Sequence, residues 1–216
     1  MAFNVSADVD AQYCGEIFSH YNNGDMKIAL TFDDGPHDKY TPEILDILND
    51  YNIKATFFVI GTNAELYPNI ISRTIREGHE IGNHTYHHDK YRDNDVNNIE
   101  NEIDMNERVL YEIAEYKPKL FRPPGGYCCA QLSNTAARLD YSVILWNIDT
   151  RDWDSKSVTP KEIADTVMDN VKSGDIILCH DYVGINNTAE AMRVFIPKLL
   201  NAGYKFVTVS ELIRTN

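Results

Sequence analysis

Seven short apolar runs, rich in β-branched and aromatic residues, alternate along the chain with segments that carry helix start and stop signals. The runs are KIALTF (27–32), ATFFVI (55–60), HEIGN (79–83), KLFRP (119–123), YSVILW (141–146), DIILCH (175–180) and YKFVTV (204–209). Strands that alternate with helices form parallel sheets, and short, continuous apolar strands are typical of sheets buried on both faces. The sequence therefore predicts an α/β fold, with which an open doubly wound sheet and a closed or distorted barrel are both compatible.

Local signals place several helix boundaries. The stretch TPKE (159–162) has the spacing of a capping box, and Thr41 before Pro42 predicts a second helix start with Thr41 as the N-cap. Residues 94–116 predict a longer acidic helix, whose apolar stripe we interpret as core packing and not as a cofactor site.

Length and charge limit the classes of protein to which the chain can belong. Its 216 residues suffice for one well-packed domain, which we place at residues 26–216 after a lead-in segment at residues 1–25. The formal net charge of −13 argues against a nucleic-acid partner, because a phosphate backbone requires a basic surface. No apolar run approaches membrane-spanning length, so we expect no membrane insertion. The four cysteines lack C-x-x-C spacing, which predicts idle or buried thiols and no cysteine zinc site.

Ionisable residues follow five of the predicted strands. They are Asp33 and Asp34 after the first run, His84 and His88 after the third, Arg122 in the fourth, Asp149 and Asp152 after the fifth, and His180 at the end of the sixth. In parallel α/β folds the carboxyl ends of the strands lie on one side, where functional groups gather. We therefore expect these side chains to form one site.

The spacing of two histidines indicates a metal site. His84 and His88 are four residues apart, and a helical turn would place both imidazoles on one side. Asp33 or Asp34 would supply a third ligand, and two histidines with one carboxylate leave coordination positions open, as in catalytic metal sites. The other aspartate would then be free to take a proton from a metal-bound water, whose pKa a metal can lower to about 7.

Five motifs resemble, in order, those of the polysaccharide deacetylases, also known as carbohydrate esterase family 4 or the NodB homology domain. They are TFDDG (31–35), HTYHH (84–88), RPPGG (122–126), DTRDW (149–153) and LCH (178–180). The resemblance covers roughly residues 26–213. It implies a distorted, incomplete (β/α) barrel of about seven parallel strands and a metal-dependent hydrolase that removes acetyl groups from glycans.

The resemblance also assigns roles around the metal. It implies that Asp33 is the general base and that Asp34, His84 and His88 bind the metal, most often zinc, with cobalt or another divalent ion as alternatives. Arg122 would pair with Asp33 and fix its orientation. Hydrolysis of an amide passes through an oxyanion, and a cation beside a positioned base suits that chemistry.

The resemblance also implies which residues protonate the leaving group and stabilise the oxyanion. His180 would be the general acid, and Asp149 would hold its imidazole in place. The backbone N–H of Gly125 would join the metal in stabilising the oxyanion, although many family members have an aromatic residue at this position. Trp153 and Leu178 would line the pocket for the acetyl methyl group.

The remaining residues near the motifs have smaller roles. We expect Pro124 and Tyr127 to contact substrate, and we interpret Cys179 as a packing residue. Residues that we interpret as solvated charges or bystanders are Asp38, Asp181, His20, His37, His79 and His87.

The expected substrate is a glycan with N-acetylglucosamine units, such as peptidoglycan or chitin-like oligomers. Acetylxylan esterase activity is an alternative for the same site, because substrate choice depends on loops that the motifs do not include. Two other classes are an iron oxygenase, which would have no use for Asp33 and His180, and an inactive carbohydrate-binding protein. The resemblance leads us to expect a secreted or cell-surface monomer, although residues 1–12 lack a leader pattern.

Overall fold

The computed structural model describes residues 16–21, 24–89, 98–182 and 186–213. Most of the predicted lead-in segment (1–25), including Cys14, lies outside these residues, as do positions 94–97 of the predicted long helix. The predicted domain at 26–216 is otherwise largely described.

Within the described residues, nine strands form one sheet in which every pairing between strands is parallel. They are β1 (Ile17–Phe18), β2 (Lys27–Asp33), β3 (Thr56–Val59), β4 (Glu80–Asn83), β5 (Leu120–Phe121), β6 (Ser142–Ile144), β7 (Ile148–Asp149), β8 (Ile176–His180) and β9 (Lys205–Val207). Eight of them follow the order β1-β6-β5-β4-β3-β2-β8-β7, and β9 pairs with β2 beside this path. The sheet curls into an incomplete barrel, which confirms the predicted fold class. All seven apolar runs contribute a strand, and β1 and β7 are two further strands of two residues each.

Helices connect most of the strands. They are α1 (Tyr40–Asp50), α2 (Gly61–Leu66), α3 (Pro68–Arg76), α4 (Ile99–Ala114), α5 (Ala130–Arg138), α6 (Pro160–Asn170), α7 (Asn186–Asn201) and α8 (Val209–Ile213), with a short 3-10 turn at Pro124–Gly126. The capping box before α6 is confirmed, because Thr159 and Glu162 each bond the other's backbone N–H. The prediction that Thr41 caps α1 is wrong. The helix begins one residue earlier, and the Thr41 hydroxyl instead donates to Asp181 Oδ2 at 2.6 Å.

Strand β2 shows why the apolar runs are continuous. Ile28, Leu30 and Phe32 pack in a cluster with residues of the flanking helices, whereas Ala29 packs in a second cluster with Phe58 and residues of other strands. Side chains along a strand alternate between its two faces, so β2 is buried on both sides, as predicted. The same alternation places Thr31 and Asp33 on the side of Ala29.

The described residues bear on two expectations, one about membrane-spanning helices and one about the cysteines. Within them, no helix has the length and apolar character needed to cross a membrane. No disulfide joins the cysteines of the described part of the chain. Cys179 is fully buried in the main core cluster, which confirms its packing role.

Candidate metal and catalytic site

The carboxyl ends of neighbouring strands bring the predicted groups together. Asp33 ends β2, His180 ends β8, and these two residues are register partners in adjacent strands. His84 directly follows β4, and Arg122 directly follows β5. The prediction that the strand ends assemble one site is confirmed for these four residues.

Three side chains converge as a metal site requires. Asp34 Oδ1 lies 3.4 Å from His84 Nε2 and 3.2 Å from His88 Nε2, and all three ligand atoms lie within 4.8 Å of one another. Asp34 Oδ1 is buried and makes no hydrogen bond. Burial alone would raise the pKa of Asp34, but contact with His84 and the nearby His180 and His88 hold that pKa well below its usual range. An ionised, unpartnered oxygen between two imidazole nitrogens fits a divalent cation.

Of the two aspartates, Asp34 is the one that the structure places in position to serve as a ligand. Asp33 Oδ1 accepts a hydrogen bond from Arg122 Nη1 at 2.6 Å, whereas Asp34 faces both histidines. The His84 ring supports the same arrangement. Its Nδ1 lies 2.6 Å from the Arg122 carbonyl oxygen, and since a carbonyl only accepts, Nδ1 carries the proton. When the imidazole of His84 is neutral, its lone pair is therefore on Nε2, the atom that faces Asp34.

The two histidines lie on an irregular loop, so the predicted helical turn between them is wrong. Thr85 and His88 both have left-handed backbone conformations, with φ of 66° and 61°. The loop is tied locally by two hydrogen bonds. Asn83 Oδ1 accepts from the Thr85 N–H at 2.9 Å, and Thr85 Oγ1 accepts from the His88 N–H at 3.0 Å. These bonds fold the chain back, which places the two imidazole centroids 5.0 Å apart.

Arg122 is a fully buried cation that orients Asp33. Besides Asp33, its guanidinium donates to Thr31 Oγ1 at 2.9 Å and to the Ile144 and Leu145 carbonyl oxygens, both at 3.1 Å. It also lies over the Phe58 ring, 4.0 Å from its centroid. The predicted Arg122–Asp33 pair is confirmed. Because Oδ1 of Asp33 is engaged, Oδ2 is the oxygen that faces His84, at 3.8 Å from Nε2.

The partner of His180 is Asp152, and the prediction of Asp149 is wrong. His180 Nδ1 donates to Asp152 Oδ1 at 2.7 Å, and Asp152 is completely buried. Asp149 is exposed and accepts from the Arg151 N–H instead. Ile148 and Thr150 are buried on either side of it, so strand alternation turns Asp149 outward. The chain then turns at Arg151, whose φ is 56°, and brings Asp152 inward.

Asp152 makes His180 a strong base that is protonated at neutral pH. Burial lowers the pKa of His180, but the hydrogen bond and charge of Asp152, with Asp33 and Asp34, raise it to about 9. Asp152 Oδ2 also accepts from the His180 backbone N–H at 2.8 Å and from Thr188 Oγ1 at 2.6 Å. The carboxylate is therefore fixed on three sides, and the imidazole is fixed with it.

Asp181 is buried, so its interpretation as a solvated charge is wrong, whereas Asp38 is exposed as predicted. Burial, followed by the charges of Asp34 and Asp33, raises the pKa of Asp181 to about 7, although a hydrogen bond from Thr41 opposes this. Its backbone N–H donates to the Asp33 carbonyl at 3.2 Å. Its carboxylate fills the space where a side chain on Gly35 would lie, 2.2 Å from an added Cβ.

The predicted substrate residues lie in strand β8 and on two loops near these groups. Leu178 is buried two residues before His180 in β8, and Trp153 is 54% exposed directly after Asp152. The 3-10 turn after Arg122 holds Pro124, which is buried, and Gly125, whose φ is 63°. Tyr127 follows this turn and is partly buried. The contacts of these residues with substrate stay predictions.

Comparisons with known proteins agree with this geometry. The polysaccharide deacetylase family model matches residues 20–144. A peptidoglycan-N-acetylglucosamine deacetylase of Bacillus cereus is 42% identical over 197 residues, which cover 89% of this chain and 90% of that protein.

Two solved structures share the fold. One is the Bc1960 peptidoglycan N-acetylglucosamine deacetylase, solved in complex with 4-naphthalen-1-yl-N-oxidanyl-benzamide. It matches with a TM-score of 0.84 and 36% sequence identity, and the match covers 93% of this chain and 94% of that chain. A family 4 acetyl xylan esterase from Clostridium thermocellum, in complex with a cobalt ion, has a TM-score of 0.78 and 36% identity over 86% of this chain and 89% of its own. The family match over more than half of the sequence, the nearly full-length relative and the assembled motif residues lead to one conclusion: this chain belongs to the polysaccharide deacetylase family.

Proposed function

We propose that this deacetylase hydrolyses N-acetyl groups on N-acetylglucosamine units of a glycan, with peptidoglycan as the first candidate. The observation that carries the proposal is the pairing of two oriented groups beside the metal site. Asp33 is held by Arg122 at 2.6 Å, and His180 is held by Asp152 at 2.7 Å. A positioned base and a positioned acid are the two groups that hydrolysis of an amide needs.

Asp34, His84 and His88 would hold the divalent cation, for which we propose zinc, with cobalt as an alternative. When bound, such a cation supplies Lewis-acid chemistry, which favours deprotonation of water and polarises a carbonyl oxygen. The cobalt ion in the related acetyl xylan esterase structure supports a divalent metal in this family.

Asp33 acts as the general base in this proposal. Its Oδ2 accepts the proton of the attacking water, while Oδ1 stays bonded to Arg122. The guanidinium holds the carboxylate in place, so the base meets the water in one orientation. The backbone N–H of Gly125 would stabilise the oxyanion that this attack creates.

His180 acts as the general acid. An amine leaves poorly unless it is protonated, and a histidine with a pKa near 9 holds its proton at neutral pH. Nδ1 is bonded to Asp152, so Nε2 is the atom that can donate to the leaving nitrogen. Leu178 and Trp153 would border the acetyl methyl group beside it, with Pro124 and Tyr127 as further contacts.

An aromatic cluster beside the site supports a sugar substrate. The His37 ring lies 4.6 Å from the Tyr40 ring, 5.9 Å from Tyr182 and 6.4 Å from Tyr67, measured between centroids. His37 lies four residues after Asp33 and Tyr182 lies two residues after His180, so the cluster is formed by the segments that follow both proposed catalytic groups. Aromatic rings with polar edges suit a ligand that has apolar faces and hydroxyl groups.

Acetylxylan esterase activity is the second candidate, and the likeness to an acetyl xylan esterase at 36% identity supports it. An oxygenase is disfavoured because the Asp33–Arg122 and His180–Asp152 pairs would have no task. An inactive carbohydrate-binding protein is disfavoured because each of these positions is filled and paired. A glycan substrate of this kind also leads us to propose a location outside the cytoplasm.

Acetate release tests the proposal. The purified protein is stripped of metal with a chelator and assayed on peptidoglycan, on N-acetylglucosamine oligomers and on acetylated xylan, before and after addition of Zn²⁺ or Co²⁺. We expect release from the N-acetylated substrates that requires metal and is lost in Asp33→Asn. Release from acetylated xylan alone would favour the esterase. Activity that survives both chelation and Asp33→Asn would contradict the mechanism.

A further inference from the structure

Glu102 is a buried carboxylate on α4 that contacts the loop of the metal-binding histidines. It is 1% exposed. Its Oε2 accepts hydrogen bonds from the Tyr86 N–H at 3.1 Å and the His87 N–H at 2.8 Å, and its Oε1 lies 2.8 Å from His87 Nδ1. No lysine or arginine of the described residues forms an ion pair with it. The three loop contacts therefore offset the cost of burying this charge.

Asn106 lies one helical turn after Glu102 and contacts the same loop. It is fully buried, and its Nδ2 donates to the Thr85 and Val59 carbonyl oxygens, both at 2.7 Å. Residues four apart in a helix share one face, so both side chains project from the same face of α4. Helix α4 thus holds three consecutive residues, 85 to 87, which lie between the ligands His84 and His88.

The conformation of the loop explains why it requires support from another element. A helix would hold two ligands four residues apart through its own backbone hydrogen bonds, but this loop has left-handed conformations at Thr85 and His88. Non-glycine residues adopt that conformation at a cost, and it persists only where surrounding contacts impose it. Two of the backbone N–H groups between these residues are bonded to Glu102.

We infer that Glu102 is a positioning residue for the metal site: it fixes the loop so that His84 and His88 meet Asp34, and it thereby sets the affinity of the site for the cation. The inference rests on the proposed metal-dependent function. Asn106 supports the same loop from the next turn of α4.

A second cation site is the competing explanation. Ligand atoms of His87, Asp89 and Glu102 lie within 4.8 Å of one another. His87 and Glu102 are already joined by a contact of 2.8 Å, however, and the other oxygen of Glu102 accepts two backbone N–H groups. The carboxylate is thus engaged by the loop, which favours positioning.

Cobalt binding distinguishes these roles without relying on activity. The metal-free wild-type protein and the variants Glu102→Gln and Glu102→Ala are titrated with Co²⁺, and its visible absorption gives affinity, stoichiometry and coordination. The thermal midpoint of each metal-free protein is measured in parallel. Glu112→Gln, at an exposed position of the same helix, is the control.

We expect one Co²⁺ per wild-type chain, affinity about 10-fold weaker in Glu102→Gln and about 100-fold weaker in Glu102→Ala, and an altered absorption band in both. The control should match the wild type. Glutamine loses one of the two acceptor atoms, so we expect an effect on affinity. That effect is smaller than the effect of alanine because glutamine keeps the size of the side chain and the other acceptor.

Other outcomes separate the alternatives. Lower thermal midpoints with unchanged affinity and absorption band would show a merely structural role and overturn the inference. Two Co²⁺ per wild-type chain, with only the second lost in Glu102→Ala, would assign Glu102 to another cation site. Absence of Co²⁺ and Zn²⁺ binding to the wild type would overturn the metal site itself, and this inference with it.

Discussion

The carboxylate of Asp152 holds His180 at two points, its imidazole Nδ1 at 2.7 Å and its backbone N–H at 2.8 Å. This pair raises the pKa of His180 to about 9 despite the burial of the ring. A general acid acts in its protonated form, so activity that depends on His180 should persist at neutral pH and fall as the pH rises through about 9.

Asp152→Asn should therefore reduce kcat about 100-fold or more and move the alkaline limb of the pH profile towards neutrality. The amide cannot stabilise the charged imidazole, so the proton on Nε2 is lost at lower pH. The measurement is kcat/KM from about pH 6 to about pH 10. Asp149→Asn is the control, and it should leave both rate and profile unchanged. A larger loss in Asp149→Asn than in Asp152→Asn would contradict the pairing.

Arg122→Met should destabilise the fold by about 3–5 kcal/mol, because it leaves Asp33 as an uncompensated buried charge. Urea denaturation of the metal-free protein measures this loss. The double variant Arg122→Met with Asp33→Asn should recover part of it, since the unpaired charge is then absent. If the double variant loses as much stability as the two single variants together, Arg122 and Asp33 contribute independently, and the predicted coupling between them is contradicted.

His79 should make the fold sensitive to acid. Burial lowers the pKa of His79 from 6.5 to about 4, and its Nδ1 accepts a hydrogen bond from the Ala55 N–H at 3.2 Å, which protonation would break. Between these pKa values the unfolded chain binds the additional proton. The unfolding free energy therefore decreases as the pH falls from about 6.5 to about 4, by on the order of 3 kcal/mol from this group.

His79→Gln tests this by removing the titrating group while keeping an acceptor for Ala55. The difference in stability between pH 7 and pH 4 (approximate values) should shrink in this variant relative to the wild type. His20→Gln, at an exposed histidine, should retain the wild-type difference. Equal acid sensitivity in wild type and His79→Gln would refute the assignment.

Strand periodicity made most of the fold predictable from the sequence. The seven apolar runs each correspond to a strand, because burial on both faces leaves a continuous apolar signal. The strands Ile17–Phe18 and Ile148–Asp149 were missed because two residues are too short for a periodic pattern. The predicted helix start at Thr159 is correct because its cap is local. The predicted cap at Thr41 is wrong because its hydroxyl donates to a carboxylate that is distant in sequence.

Site residues were predictable where the residue type alone indicates the role, and less predictable where the role depends on the geometry of the folded chain. His84, His88 and one of the pair Asp33 and Asp34 followed from ligand type and strand-end position, and the choice of Asp34 followed from the family resemblance. Alternation turns Asp149 outward between buried Ile148 and Thr150, but Asp152 is brought inward by the left-handed turn at Arg151, so its role depends on the folded geometry. Glu102 has no local signal as a loop contact, because its role depends on where α4 packs in the folded chain.

Tyr182→Ala should weaken binding of long substrates while sparing the chemical step. Its ring packs beside His37, and it is 37% exposed two residues after His180. We expect KM for N-acetylglucosamine oligomers to rise about 10-fold with little change in kcat. Loss of one aromatic contact costs roughly 1–1.5 kcal/mol, which corresponds to a change of this size. Leu66→Ala, at an exposed apolar residue on α2, should leave KM unchanged. A fall in kcat alone would argue against a binding role.

Gly35 and Asp181 should be coupled sterically. An added Cβ on Gly35 would lie 2.2 Å from a carboxylate oxygen of Asp181, which Thr41 holds at 2.6 Å. Gly35→Ala should therefore displace the Asp33–Asp34 loop and destabilise the fold by about 1–3 kcal/mol, with loss of Co²⁺ affinity. In the double variant with Asp181→Ala the carboxylate is absent, so Gly35→Ala should cost less there than in the wild type. Denaturation and Co²⁺ titration are carried out on the wild type, the two single variants and the double variant. Strictly additive losses of stability would mean that contact with Asp181 is not the reason why Gly35 resists substitution.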